Sequence, residues 1–310
     1  MISCPPISDA YRVEAQLLRT FVTVARLGSF SAAAGELGYT QAAVSQQIAA
    51  LENDLKTQLL TRRPVGPTEA GTRLLEHAGP ILLRLDAARA DVTRMTSTPA
   101  ATLIVGVTPL AGATPALATA LAALRERMPR LDITVQTGTR AEVAFGVARG
   151  DLDIALTDGL TAPGDPLTEL APVTATGVSQ ERVAVILPAG HPLAGRRALR
   201  LPDLADSRWI EAEQVAPPLA EIRRHAGVDG FRPAFHYAGS DLLSLIRLAS
   251  AGHGLTLLPE PALSPEPAAR AGISPIPVTA PRVVHRIELI HGTLRESSPA
   301  AELAAILLPR

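Results

Sequence analysis

In the first third of the chain the apolar positions recur every three or four residues, the period of helices with one buried face. From Val13 on, Leu17, Leu18, Phe21, Val22, Val24 and Ala25 form a broad apolar face, and Gly28 ends it. Ser29 and Ser31 offer N-caps to a short second helix over 32–37, which Gly38 stops. Thr40 opens a third helix through Val44, Ile48, Leu51 and Leu55. Three short helices joined by Gly-containing turns are the arrangement of a helix-turn-helix unit. Residues 62–68 hold two prolines and a glycine, a loop or a small β-wing. A long helix follows from near Thr68, with Gly71, Leu74, Ala78, Ile81, Leu85, Ala88, Val92 and Met95 alternating in steps of three and four. That is a heptad seam, and a helix of about 25 residues would run roughly 37 Å. The stripe has two readings, a seam to a second chain or a face packed on its own domain. Pro80 should kink or locally open the helix.

Residues 97–101 read as a short polar linker with Pro99. Beyond it, strands are expected over 103–107, 131–136 and 153–157, alternating with helices from Thr114-Pro115 to before Pro129 and over 142–149. Such order predicts a mostly parallel sheet flanked by helices. Further strands are expected over 182–187, 209–210, 231–236, 255–258 and 286–290, with helices over 217–225, 241–251 and 298–308. The stretch exceeds one doubly wound unit, so two lobes with a cleft between them are expected.

Composition narrows the function classes. The 310 residues are 47% hydrophobic, enough for two or three cored domains. The formal charge is −1, and residues 1–96 carry ten Arg or Lys against nine Asp or Glu, so any affinity for nucleic acid must come from where charges sit. Cys4 is the only cysteine, which excludes an internal disulfide and suits a reducing compartment. The first eleven residues have no basic start and no apolar run, so no secretory signal is expected; no stretch suits a membrane span, and the expected location is cytoplasmic.

The run FSAAAGELGYTQAAVSQQIAALENDL from Phe30, then LLTRR and PTEAG, resembles the DNA-binding domain of LysR-type transcriptional regulators across roughly sixty positions. RGDLDIAL at 149–156, LPAGHPLAG at 187–195 and GHGLTLLP at 252–259 resemble that family's effector domain. The resemblance implies a bacterial α/β multidomain protein: an N-terminal winged helix-turn-helix, a long linker helix, and a C-terminal two-lobed periplasmic-binding-protein-like effector domain. The layout is a flexible leader over 1–13, the winged helix-turn-helix over 14–71, the linker helix over 72–97 and the regulatory domain over 98–310. Its first lobe takes about 102–160 and 273–310, its second about 161–272.

Physically, Ala32, Ala33 and Ala34 are small so that the second helix can cross the third, with Leu37, Val44, Ile48 and Leu51 as core. Thr40, Gln41, Ala42, Ala43, Ser45 and Gln46 then form the outward start of a recognition helix for double-stranded promoter DNA. Gln pairs bidentately with adenine, and Ala or a Thr methyl touches the thymine methyl, at about 1–3 kcal/mol of discrimination per good bidentate pair. Ser31 and Ser45 suit phosphates, and Arg62 and Arg63 at the wing suit phosphate or a narrow minor groove. Arg62 has a second reading, an ion pair with Glu52 or Asp54. The sequence departs from the family at Lys56, where a glycine is usual, at Leu60 for a phenylalanine, at Pro67 for a leucine, and in a wing about two residues shorter.

In the regulatory domain the resemblance places effector contacts at Thr108, Thr137, Thr139, Ile210, Ser240 and Thr256, the hydroxyls among them suiting a carboxylate or polar metabolite; ordinary capping is the other reading of each threonine. Arg140 could add charge to the pocket. No metal-ligand, phosphate-loop or nucleophile-elbow motif occurs, so no catalytic residue, metal or cofactor is expected. Asp151 and Asp153 read as flanking a strand edge, and His191 as a turn residue. The resemblance further implies a homodimer through the linker helix, a homotetramer and a contact with RNA polymerase. A solute-binding protein and an enzyme fused to a DNA-binding domain are the rival readings; the N-terminal motif opposes the first, and the missing nucleophile–base pair the second.

Overall fold

The computed structural model describes residues 14–96, 102–263 and 272–308; the leader over 1–13 and the linker over 97–101 lie outside the described residues. The chain divides into two compact bodies, the first ending at Asp86 and the second starting at Ala87.

The first body opens with α1 (Ala15–Leu27), α2 (Phe30–Leu37) and α3 (Gln41–Asp54). Gly28 and Gly38 end the first two helices in the left-handed conformation, at φ 60° and 70°, where a side chain would be strained. Ser29 alone caps α2, its hydroxyl accepting from the Ala32 N–H; Ser31 lies within the helix, exposed. Phe21, Val24, Ala33, Val44, Ile48, Leu51, Leu59 and Leu60 close the core. Ala33 and Ala34 occupy the crossing, whereas Ala32 faces solvent and Leu37 is only half-buried, because a single turn of helix can bury one stripe and not three consecutive residues. Strands β1 (Leu60–Arg62) and β2 (Val65–Pro67) pair antiparallel as a small wing.

Helix α4 (Glu69–Thr96) continues through Pro80 and is longer than expected. Thr68 caps it, its hydroxyl accepting from the Gly71 N–H at 3.1 Å. Along the heptad stripe, Gly71 and Ala78 are buried and Leu74 half-buried, while Ile81, Leu85, Ala88, Val92 and Met95 are exposed. The N-terminal half of the stripe thus packs on its own body, and the C-terminal half is left exposed. The C-terminal turns belong to the second body: Ala87 and Ala90 are buried, and the Asp91 carboxylate accepts from the Thr293 N–H at 3.1 Å.

The second body is two-lobed. Strands β3 (Thr102–Val107), β4 (Asp132–Thr137) and β5 (Ile154–Thr161) pair in parallel in the order β4-β3-β5. Helices α5 (Pro109–Gly112), α6 (Pro115–Arg127) and α7 (Arg140–Arg149) connect them. The long strand β6 (Thr174–Pro188) passes through both lobes. Its first half pairs antiparallel with β12 (Val284–His291), which in turn pairs antiparallel with β5 along its length. Its second half pairs antiparallel with β10 (Thr256–Pro259) and β11 (Ile273–Ala280). The expected mostly parallel sheet is therefore mixed, parallel at one end and antiparallel where the lobes connect. Strand β7 (Leu199–Arg200) closes one edge on β11, and β8 (Trp209–Glu211) and β9 (Pro233–His236) form a parallel pair joined to β10 through a Trp209–Leu255 bridge. Because β11 pairs with β6, β7 and not with β12, residues 273–280 lie in the second lobe and not the first.

Helices α8 (Leu219–Ala226) and α9 (Leu242–Ser250) pack on the second lobe, and α10 (Pro299–Leu307) returns to the first. The first lobe's core is built on Leu103, Val105, Leu124, Ile154, Leu156 and Leu303. The second has a core on each face of its sheet, one around Trp209 and Phe231, whose rings lie 5.3 Å apart, the other around Ile186, Ile210 and Leu245. Among the described residues no helix is long and apolar enough to cross a membrane.

Candidate functional site

Two surfaces collect the sequence-predicted residues. The first is the start of α3. Thr40 is its N-cap, in extended conformation, with its hydroxyl accepting from the Ala43 N–H at 3.2 Å. Thr40, Gln41, Ala42 and Gln46 are exposed and Ala43 and Ser45 half-buried, while Val44, Ile48 and Leu51 on the opposite face are buried. The fixed inner stripe therefore determines which side chains stand outward. Gln47 is not among them: the buried Thr20 hydroxyl donates to its side-chain oxygen at 2.6 Å, anchoring α3 to α1.

The wing positions its two arginines differently. The Arg62 guanidinium stands 4.8 Å from the Phe30 ring centroid and 3.5 Å from the Glu52 carboxylate. Glu52 in turn accepts from the Leu59 and Leu60 N–H groups at 2.9 and 3.1 Å, so this carboxylate ties the end of α3 to the wing. The ion-pair reading of Arg62 holds in this conformation. Arg63 is exposed between the two strands of the wing.

The second surface is a cavity of about 350 Å³ between the lobes of the second body. Thr108 and Thr139 border it, with Arg140 and Asp158 from the first lobe and Glu213 and Glu221 from the second. Thr108 is buried and its hydroxyl donates to Asp158, which also accepts from the Ala111 N–H at 3.3 Å. The other Asp158 oxygen lies 2.8 Å from Nε2 of the buried His285. The other ring nitrogen, Nδ1, is buried with no hydrogen-bond partner among the described residues. Thr139 caps α7 in a reciprocal capping box: the Glu142 N–H donates to its hydroxyl, and its own N–H donates to the Glu142 carboxylate at 2.7 Å. Those bonds hold Glu142 below the usual carboxylate range.

Thr137, Ile210, Ser240 and Thr256 do not line this cavity. Thr137 and Ser240 are exposed; Asp241, not Ser240, caps α9, accepting from the Leu243 and Ser244 N–H groups. Ile210 is packed in the core, and Thr256 is buried with its hydroxyl unpaired. The residues that sequence reasoning missed, Asp158, His285, Glu213 and Glu221, are far apart in the chain and share no motif.

Arg140 connects this cavity to a second one, also about 350 Å³, lined by Leu167, Leu170, Val173, Glu288 and Ile290 among others. Its guanidinium donates to the Thr168 carbonyl. Burial pulls its pKa below the ordinary arginine value, while Glu221, Glu288 and Asp158 push it back up. Glu288 is buried, accepting from the Leu167 N–H at 3.1 Å and from Arg286 at 2.5 Å. Elsewhere, Asp153 accepts from the Ile104 N–H at the strand edge, Asp151 pairs with Arg149, and His191 accepts from the Leu193 N–H in a turn. Among the described residues no group of three His, Cys, Asp or Glu side chains is placed to hold a metal ion.

Against known proteins, residues 15–72 match the family model "Bacterial regulatory helix-turn-helix protein, lysR family", and residues 96–308 match "LysR substrate binding domain". A probable hydrogen peroxide-inducible genes activator of Mycobacterium avium is 33% identical over 278 residues, 88% of this chain and 86% of its own length. The transcriptional dual regulator GltC of Bacillus subtilis is 29% identical over 296 residues, 93% of this chain and 94% of its own. Among solved structures, full-length BenM aligns at TM-score 0.55 and 22% identity, covering 95% of each chain. CbnR complexed with its target DNA aligns at TM-score 0.51 and 22% identity, covering 95% of this chain and 99% of its own, a likeness of fold.

Proposed function

Starting from the fact that this chain belongs to the LysR family of transcriptional regulators, we propose that it reads double-stranded promoter DNA with Thr40, Gln41, Ala42 and Gln46, and that a small molecule in the cavity between the lobes of the second body governs that reading. The observation that carries the proposal is the exposed N-terminal edge of α3, whose position is set by the buried Val44, Ile48 and Leu51. Ala43 and Ser45 stand at the margin of that edge, and Ser31 and Arg63 are exposed on elements beside it and suit phosphate contacts. Binding, not turnover, is the role proposed for the cavity.

Two copies are proposed to pair through the exposed half of α4, where Ile81, Leu85 and Met95 are 46%, 40% and 67% exposed. Such a dimer presents two copies of α3 to half-sites one helical turn, or a multiple of it, apart.

Selection from a pool of random duplexes by the purified full chain tests the proposal. It should enrich a two-fold symmetric sequence with that half-site spacing; a pool that stays random would reject it.

A further inference from the structure

The charges around the inter-lobe cavity indicate what it accepts, an inference that rests on reading the cavity as the effector site. Three carboxylates line it, Asp158, Glu213 and Glu221, against one guanidinium, Arg140. Arg140 is not a vacant anion receptor. It already donates to the Thr168 carbonyl, and its charge is met by Glu221, Glu288 and Asp158. Glu221 has a further partner in Arg224 at 3.2 Å, but that arginine is two-thirds exposed and the pair is correspondingly weak. Glu213 makes no ion pair among the described residues. Asp158 is held in position at the cavity wall by Thr108, Ala111 and His285.

A carboxylate entering this space would meet three like charges and share an arginine that is already engaged. A cation would meet Glu213, exposed and without an ion pair among the described residues, and Glu221, whose ion pair is weak. The remaining wall is partly polar, with Thr108, Thr139 and Gln214, and otherwise aliphatic, with Leu110, Val215, Pro217 and Pro218 among its residues. We propose that the effector is a small organic cation, an aliphatic amine or amidine, its charged nitrogen held by Glu213 and Glu221 and its carbon body against Leu110, Val215 and the two prolines. This replaces the carboxylate that the hydroxyls alone suggested.

The test compares two probes of one length and opposite charge, pentane-1,5-diamine and pentanedioate, titrated calorimetrically into the full-length protein. The diamine should bind with a Kd below about 1 mM and at least about tenfold more tightly than the dioate. Glu213→Gln combined with Glu221→Gln should weaken it about tenfold or more, and Arg140→Gln should tighten it, because a competing cation is gone. Unchanged Trp209 fluorescence unfolding would show that these variants are folded. Tighter dioate binding, no diamine binding below that limit, or an affinity indifferent to the two glutamates in folded variants would each overturn the proposal. DNA affinity measured in parallel separates the two readings. A glutamate-dependent diamine that leaves DNA binding unchanged supports the ligand class while rejecting the effector role; a DNA-binding protein that ignores the diamine rejects the ligand class alone.

Discussion

Gly71 sits in the first turn of α4, where an alanine would ordinarily help. Replacing an interior helical glycine by alanine gains up to about 1 kcal/mol, because the backbone loses less entropy on folding. Here a Cβ would lie 2.1 Å from the Leu59 carbonyl oxygen and 3.3 Å from the Pro67 Cβ. Ordinary contact begins near 3.4 Å, so α4 and the chain just before β1 would have to separate by about 1 Å. The same carbonyl accepts from the Thr68 N–H at 2.9 Å, so separation also strains the bond that starts the helix. Overpacking of this kind costs about 1–3 kcal/mol, which exceeds the propensity gain, and the net sign for Gly71→Ala is destabilising. Gly79, in the same helix, is the control, since a Cβ there meets nothing within 4 Å and Gly79→Ala should stabilise. The single tryptophan, Trp209, lies in the second body, so its fluorescence follows that body while circular dichroism at helical wavelengths also follows the first. In urea, Gly71→Ala should lower the helical transition and leave the fluorescence transition in place. A Gly71→Ala variant as stable as Gly79→Ala would refute the close approach.

Arg63→Ala should weaken binding to all duplexes about equally and reduce the salt dependence by about one phosphate contact, measured by anisotropy across a salt series; loss confined to one sequence would assign Arg63 to base reading. Leu85→Asp should convert a dimer to a monomer in light scattering, and an unchanged mass would remove α4 from the interface. Thr139→Ala removes half of the capping box and should cost about 1 kcal/mol at neutral pH. Glu142, whose folded pKa is depressed by its bonds to Thr139, stabilises the fold above its ordinary pKa of 4.5, and that contribution fades as pH falls through the depressed value. The gap between wild type and Thr139→Ala in urea should therefore narrow below about pH 4; a gap constant down to pH 3 would contradict the box.

Local signals made the first body readable. Gly28, Gly38 and Thr40 punctuate helices whose apolar period leaves little choice of face, so the outward edge of α3 could be placed before any coordinates. The second body was readable element by element but not in its assembly. Pro275 and Pro277 disguise β11 as a loop, although alternate prolines can share the side of a strand away from its partner β6. The first half of β6, TATGVSQE, has too few apolar residues to read as a strand, because its partner β12 and not its own pattern holds it in the sheet. Missing those two stretches misassigned residues 273–280 and overstated the parallel character. Thr256 and Ile210 show a further limit: a strand-end position reveals that a side chain is near a cleft but not whether it turns inward, and both are buried. The cavity's carboxylates come from residues 158, 213 and 221, brought together only by the long-range fold, so no local spacing announces them.

The central claim is that the N-terminal edge of α3 reads base sequence. Its most direct test is the affinity of Gln41→Ala for the selected duplex and for a random one of equal length, at the same salt concentration. The selected duplex should lose about 1–3 kcal/mol, roughly five- to 150-fold, while random DNA is bound as before. Equal losses on both, or no loss on either, would contradict the claim.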